Sequence, residues 1–218
     1  MKKFIVSLFI ASFAFAAEGQ QVFLETGLVI SSFDYKTSDG SKIENLKGAG
    51  KSCFGLGFRM PVMKSPWHAV IEVTNNKYGA TTSDPELGNF SEWDVSYAGI
   101  NLGGDYEFFK PKMINIERNG LSFYIRGLVA AEFLLSGKQK LNSQVYDLHG
   151  EEEFDKPTFF VKGGVGGNYY LTRSYIIFAQ YIFGRSILLG DYSGQEKLNY
   201  TTHAITLGIT VDLSYKRK

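Results

Sequence analysis

From residue 201 to 215 the chain alternates strictly, with Thr, His, Ile, Leu, Ile, Val, Leu and Tyr at odd positions and Thr, Ala, Thr, Gly, Thr, Asp and Ser at even ones. A period of two, with one apolar and one polar face, is the pattern of a β-strand. Running over 201–215, it is much longer than the strands of soluble sheets and long enough for a tilted crossing of a bilayer. The alternation recurs over 121–137, where Leu121, Phe123, Ile125, Val129, Ala131, Phe133 and Leu135 oppose Ser122, Tyr124, Arg126, Glu132 and Ser136. Over 93–109, Ala98, Ile100, Leu102, Tyr106 and Phe108 oppose Asn101, Asp105 and Glu107. Weaker versions run over 22–35, 52–62, 67–74, 158–171 and 175–187, so the pattern predicts eight strands.

The connectors orient these strands. Those at 63–66 and 172–174 are tight, whereas 36–51, 75–92, 138–156 and 188–200 are long. In a transmembrane barrel the short turns face the periplasm and the long loops face outward, although the connector 110–120 is longer than that rule favours. Pro61, Pro66, Pro85, Pro111 and Pro157 all fall at strand ends or in connectors, where a missing N–H leaves the ladder intact. The fold class expected is therefore all-β: a closed, antiparallel, up-and-down transmembrane barrel of about eight strands, with both termini on the periplasmic side.

Sidedness follows from cost. An Arg or Lys on the lipid face at the bilayer midplane costs roughly 2–4 kcal/mol, so the charged face should point inward. The inward set then comprises Glu25, Arg59, Glu72, Asp105, Glu107, Arg126, Glu132, Lys162 and Asp212. Eight strands enclose a space just wide enough for side chains, so these charges are expected to pair and fill the barrel, a narrow ion path being the alternative. Cys53 reads as a small inward residue on the second strand. Trp67, Trp93, Tyr175 and Tyr215 stand near strand ends, where they suit interfacial aromatic girdles.

Composition sharpens this picture in a few places. Aromatic residues make up 15% of the 218-residue chain, and 24 Gly stand against 5 Pro, which suits closely packed, twisted strands in one domain. Met1-Lys2-Lys3, the apolar stretch 4–13 and Ala14-Phe15-Ala16 have the layout of a secretory signal peptide, so residues 1–16 are expected to be a cleaved leader and 17–218 the barrel. Beyond it no apolar run reaches the length of a spanning helix. The formal net charge is +1, falling to −1 without Lys2 and Lys3, which gives no field for nucleic acid. A single cysteine permits no intramolecular disulfide, and His68, His149 and His203 are too scattered to suggest a metal site. Gly163-Gly164-Val165-Gly166-Gly167-Asn168 misses the spacing of a dinucleotide loop because Tyr169 stands where the third glycine would be.

The chain resembles the small outer-membrane barrel families, the OmpA transmembrane domain and OmpX among them, and most of all the PorT-like barrels of Bacteroidota. The residues that carry the resemblance are Gly27-Leu28-Val29-Ile30-Ser31-Ser32-Phe33, Phe54-Gly55-Leu56-Gly57-Phe58 and Gly164-Val165-Gly166-Gly167-Asn168-Tyr169-Tyr170-Leu171. It implies a Gram-negative cell outer membrane, contact with outer-membrane lipid, and barrel-insertion machinery during assembly. Many such barrels end on an aromatic residue. Here Tyr215-Lys216-Arg217-Lys218 follow instead, so recognition is expected to rest on Tyr215.

The function expected is non-catalytic, a structural or surface-interaction role carried by the long outer loops and an extracellular partner, with no cofactor, no metal and no catalytic residue. The loop at 138–156, with Glu151-Glu152-Glu153, is the first candidate. Two alternatives take a definite form. His203, Ser32 and Asp34 share the outward face at the outer end of the barrel, where a lipid A deacylase-like enzyme would act on ester bonds. A soluble, lipocalin-like barrel would instead turn its apolar face into a ligand cavity.

Overall fold

Each of the eight alternating segments forms a strand in the computed structural model, which describes residues 19–36, 46–63, 65–84, 89–109, 120–142, 144–172, 174–187 and 197–213. The expected leader at 1–16 and Tyr215 lie outside these residues. The strands are β1 (Gln21–Lys36), β2 (Lys47–Pro61), β3 (Trp67–Asp84), β4 (Asn89–Phe108), β5 (Gly120–Leu141), β7 (Thr158–Tyr170), β8 (Tyr175–Ile187) and β9 (Lys197–Asp212). A short ninth strand, β6 (Gln144–Asp147), and a single helical turn, α1 (Glu152–Asp155), lie between β5 and β7. No helix among the described residues is long and apolar enough to cross a membrane.

All pairings are antiparallel and follow chain order, with β5 beside β7, and β1 meets β9 to close the ring through pairs such as Leu24↔Ile209. The result is a closed, eight-stranded, up-and-down barrel in which each of the eight strands pairs with a neighbour on both sides. Alternation sends Leu28, Ile205 and Leu207, each more than 60% exposed, outward, together with Leu56, Val73, Val129 and Val165. A hydrocarbon belt of this extent is stable when lipid covers it. Trp67 packs edge-on against Tyr106, with ring centres 5.0 Å apart, and Tyr175 is also outward.

The wall formed by β3, β4 and β5 is taller than the pattern implies. These strands have 18, 20 and 22 residues, against 13 each for β7 and β8. At about 3.3 Å per residue the difference amounts to roughly 20 Å of strand. Most of the expected loop 75–92 is in fact paired hairpin, continuing from Asn75↔Ala98 to Asp84↔Asn89. Beyond the hydrocarbon the outward face becomes polar, as at Asn75, Lys77 and Asp94, so the hydropathy alternation fades while the ladder continues. Likewise β5 runs on to Leu141, turns at Asn142, which has φ 54°, and pairs with β6. Two of the other expected loops are also shorter, because β2 begins at Lys47 and β9 at Lys197.

A bulge sets the top of β5. Ser96 pairs with Ser136 but Tyr97 with Leu134, so Leu135 is an extra residue. It exchanges the two faces above that point: Ser136, expected inward, is exposed, and Gly137 is buried. Inside, large rings stand over bare backbone on the neighbouring strand. A Cβ on Gly208 would lie 2.2 Å from Cζ of Phe178, and one on Gly166 would lie 2.3 Å from Cζ of Tyr124.

Candidate functional site within the barrel

The interior is filled in three levels. At the end that carries the short β2–β3 and β7–β8 turns, Arg59 from β2 donates from Nε and Nη2 to Oδ1 of Asp105 at 3.0 and 2.9 Å, and from Nη2 to Oε2 of Glu107 at 3.2 Å. Arg126 from β5 donates to the second oxygen of Asp105 at 2.9 Å, so one carboxylate bridges two guanidinium groups. Glu107 also accepts from Ser122, Asn168 and Tyr170. His68 completes the plug, its Nδ1 lying 3.2 Å from Nη2 of Arg59 and 3.3 Å from Oδ1 of Asp105. Every one of these side chains comes from a position of inward phase, and their mutual bonds replace most of the water they lose, with Nε of Arg126 left without a hydrogen-bond partner.

At mid-height, Lys162 on β7 donates to Oε1 of Glu132 at 2.7 Å and to Oδ1 of Asn101 at 3.1 Å. Asn76 and Tyr78 also donate to Glu132, at 2.9 and 2.7 Å. Glu25 accepts from Nε2 of Gln180 at 2.6 Å, and Glu72 from Nδ2 of Asn101 at 3.1 Å. A cavity of about 50 Å3 opens between these groups. Above it rings replace charges: Tyr78, Tyr97, Phe160 and Tyr200 pack with centres 5.5–6.1 Å apart, and Tyr97 and Tyr200 join hydroxyl to hydroxyl at 3.1 Å. Trp93, Val95, Leu148 and Phe154 cover this cluster from the tall wall and from the 142–156 segment.

Glu25, Arg59, Glu72, Asp105, Glu107, Arg126, Glu132 and Lys162 are all buried in the interior, and the structure brings them into the two polar levels. Asp212 sits apart from them at the short-turn rim, half-buried, where Nε2 of Gln21 donates to it at 3.4 Å. Trp93 does not belong to an outer girdle, since it is 9% exposed and points into the barrel mouth. Its odd number matches Asn101 and Asp105, so strand phase places it inside. His68, Asn101, Gln180 and the inner tyrosines share the phase of the charged set, and only that phase, read without regard to charge, points to them.

His203, Ser32 and Asp34 are not paired directly across the ladder. His203 and Ser32 are both outward, but the ladder places Ile30 opposite His203 and Thr201 opposite Ser32. The imidazole turns the other way, with Nδ1 2.6 Å from the hydroxyl of Tyr181 on β8 and its ring edge-on to Phe183. Because the interior is polar and the apolar face outward, the arrangement is opposite to that of a soluble ligand-binding barrel. Among the described residues no group of three or more His, Cys, Asp or Glu is placed to hold a metal ion.

No protein-family model matches the chain, and no curated protein matches it in sequence. Solved structures do. The outer membrane protein OprG from Pseudomonas aeruginosa aligns at TM-score 0.54 and 13% identity, covering 91% of this chain and 97% of OprG. Neisserial surface protein A aligns at TM-score 0.50 and 11% identity, covering 90% of this chain and all of the other. At such identities the likeness is one of fold. Together with the hydrocarbon belt it marks the chain as a membrane-spanning β-barrel of the fold that these outer-membrane proteins share.

Proposed function

We propose that this protein is a non-catalytic outer-membrane barrel whose interior is sealed and whose tall wall presents a surface for interaction outside the cell. One observation carries the reading: the interior is filled at both ends while β3 to β6 rise beyond the rest of the barrel. A side-chain-filled eight-stranded barrel has no room for a solute path. Among the described residues, those that rise furthest beyond the lipid are then the hairpin of β3 and β4, the β5–β6 hairpin and α1. Their outward residues include Glu92, Asp94, Lys138, Lys140, Val145 and Tyr146, a mixed polar and apolar set of the kind that contacts other proteins.

Outer-membrane lipid around the belt and the barrel-insertion machinery during assembly are the partners this reading implies, with a further partner outside the cell. It extends to kinship with the PorT-like barrels of Bacteroidota, supported by the Gly–aromatic alternation in β2 and β7. In planar bilayers the purified protein should give no stable conductance. Lys138→Glu/Lys140→Glu, which leaves the barrel untouched, should change binding of cells to host or bacterial surfaces. Steady channel openings in the wild type, or unaltered binding and envelope integrity after removal of residues 142–156 from a still-folded barrel, would overturn the proposal.

A further inference from the structure

The lipid-facing surface changes character where β8, β9 and β1 lie side by side, at the end away from the short turns. One ladder row there holds Tyr181, Ile205 and Leu28; two rows further up stand Arg185, Thr201 and Ser32, with His203 in the row between. The hydrocarbon belt thus passes within two steps into a row of one guanidinium and two hydroxyls, all on the outward face. Along β8 from Tyr175, at about 3.3 Å per residue and a tilt of about 40°, Arg185 stands roughly 25 Å up, the height of an apolar belt. Val161 beside it on β7 and Ile187 beyond it on β8 are apolar and exposed, so the guanidinium lies at the margin of the belt and not clear of it.

These polar groups are uncommitted. Among the described residues the Arg185 side chain has no ionic or hydrogen-bonding partner, and neither do the hydroxyls of Thr201 and Ser32. Asp34, the next outward residue on β1, stands opposite Asn199 and does not pair with Arg185. His203 is held in place from β8, with Nδ1 2.6 Å from the Tyr181 hydroxyl and its ring edge-on to Phe183 at 5.3 Å. A phenol donating to Nδ1 leaves the imidazole proton on Nε2, which is free to donate outward.

An unpaired cation on the lipid side is penalised according to its depth, and an anion beside it offsets that cost. A guanidinium fork, two hydroxyls and an imidazole N–H converge as donors, and a phosphate carries enough acceptor oxygens to meet several of them at once. We infer that this face binds one phosphate-bearing lipid, its phosphate on Arg185, Thr201, Ser32 and Nε2 of His203 and its chains along the exposed Leu28 and Ile205. This goes beyond general contact of lipid with the belt. It does not depend on the tall wall, which stands on the opposite side of the ring.

The test uses the wild-type full chain, refolded in detergent and mixed with phosphatidic acid, with diacylglycerol of the same chains, or with inorganic phosphate, and bound molecules are counted by native mass spectrometry. One phosphatidic acid per barrel should stay bound, at a concentration about tenfold below that needed for diacylglycerol. Inorganic phosphate at the same concentration should not displace it. Equal retention of the two lipids, which means adhesion by the chains alone, overturns the inference, and so does displacement by inorganic phosphate. Arg185→Gln/His203→Gln should weaken retention of phosphatidic acid about tenfold or more. Lys77→Gln, which removes an outward cation from the tall wall, should leave retention unchanged; equal losses in the two variants mean diffuse attraction and count against the site. If the double variant gives no heat-modifiable folded band, the comparison of the two lipids on the wild type still decides.

Discussion

The two ends of the barrel interior solve the same problem by different chemistry. Below the cavity, Arg59, His68, Asp105, Glu107 and Arg126 fill the space with charge; above it, Tyr78, Tyr97, Phe160 and Tyr200 fill it with rings. The ionic end is directional, because each group is satisfied only by a particular partner. The aromatic end is held by area and shape, with hydroxyls used sparingly. Losing one member should therefore cost more below than above, since a stranded charge is penalised beyond the bond it lost.

The largest effect is expected for Asp105→Ala, which leaves two buried guanidinium groups without their shared carboxylate. It should lower the unfolding free energy in detergent by about 3–5 kcal/mol, or abolish the heat-modifiable folded band on a gel. Tyr200→Ala, which opens a void in the aromatic end, should cost about 3 kcal/mol, and a larger loss than that of Asp105→Ala would reverse the comparison. A paired replacement sharpens it. Lys162→Met alone leaves Glu132 buried and charged, and adding Glu132→Gln should restore about 1–2 kcal/mol in a double-mutant cycle. Tyr97→Phe removes the hydroxyl shared with Tyr200 and should cost about 1 kcal/mol by denaturant titration. Least of all, Lys51→Ala breaks the outer pairing with Asp94 and should change stability by under about 1 kcal/mol, a difference that high salt erases.

The two ends were also unequally legible. Lipid penalises an outward charge, so alternation alone marks Glu25, Arg59, Asp105 and Arg126 as internal. The aromatic end carries no such mark, because tyrosine suits a girdle, a core or a surface. Trp93 shows the consequence: its chemistry suggests an interface, whereas its phase places it inside. The tall wall was hidden for a related reason. Past Asn75 and Lys77 no hydrocarbon imposes an apolar face, and only the ladder, which leaves no trace in hydropathy, keeps β3 and β4 together. The bulge at Leu135 is a backbone decision that side-chain alternation reads only as an apparent continuation.

The bare backbone beneath Phe178 has a consequence for assembly. Alternation penalises a strand that slips by one residue, since every side chain changes face, but it is blind to a slip of two. Phe178 stands opposite Gly208; a two-residue step either way would set it against Thr206 or Thr210, whose side chains occupy the volume that the ring needs. The ring and its vacancy thus work as lock and key between β8 and β9, proofreading the one error that an oily exterior cannot detect.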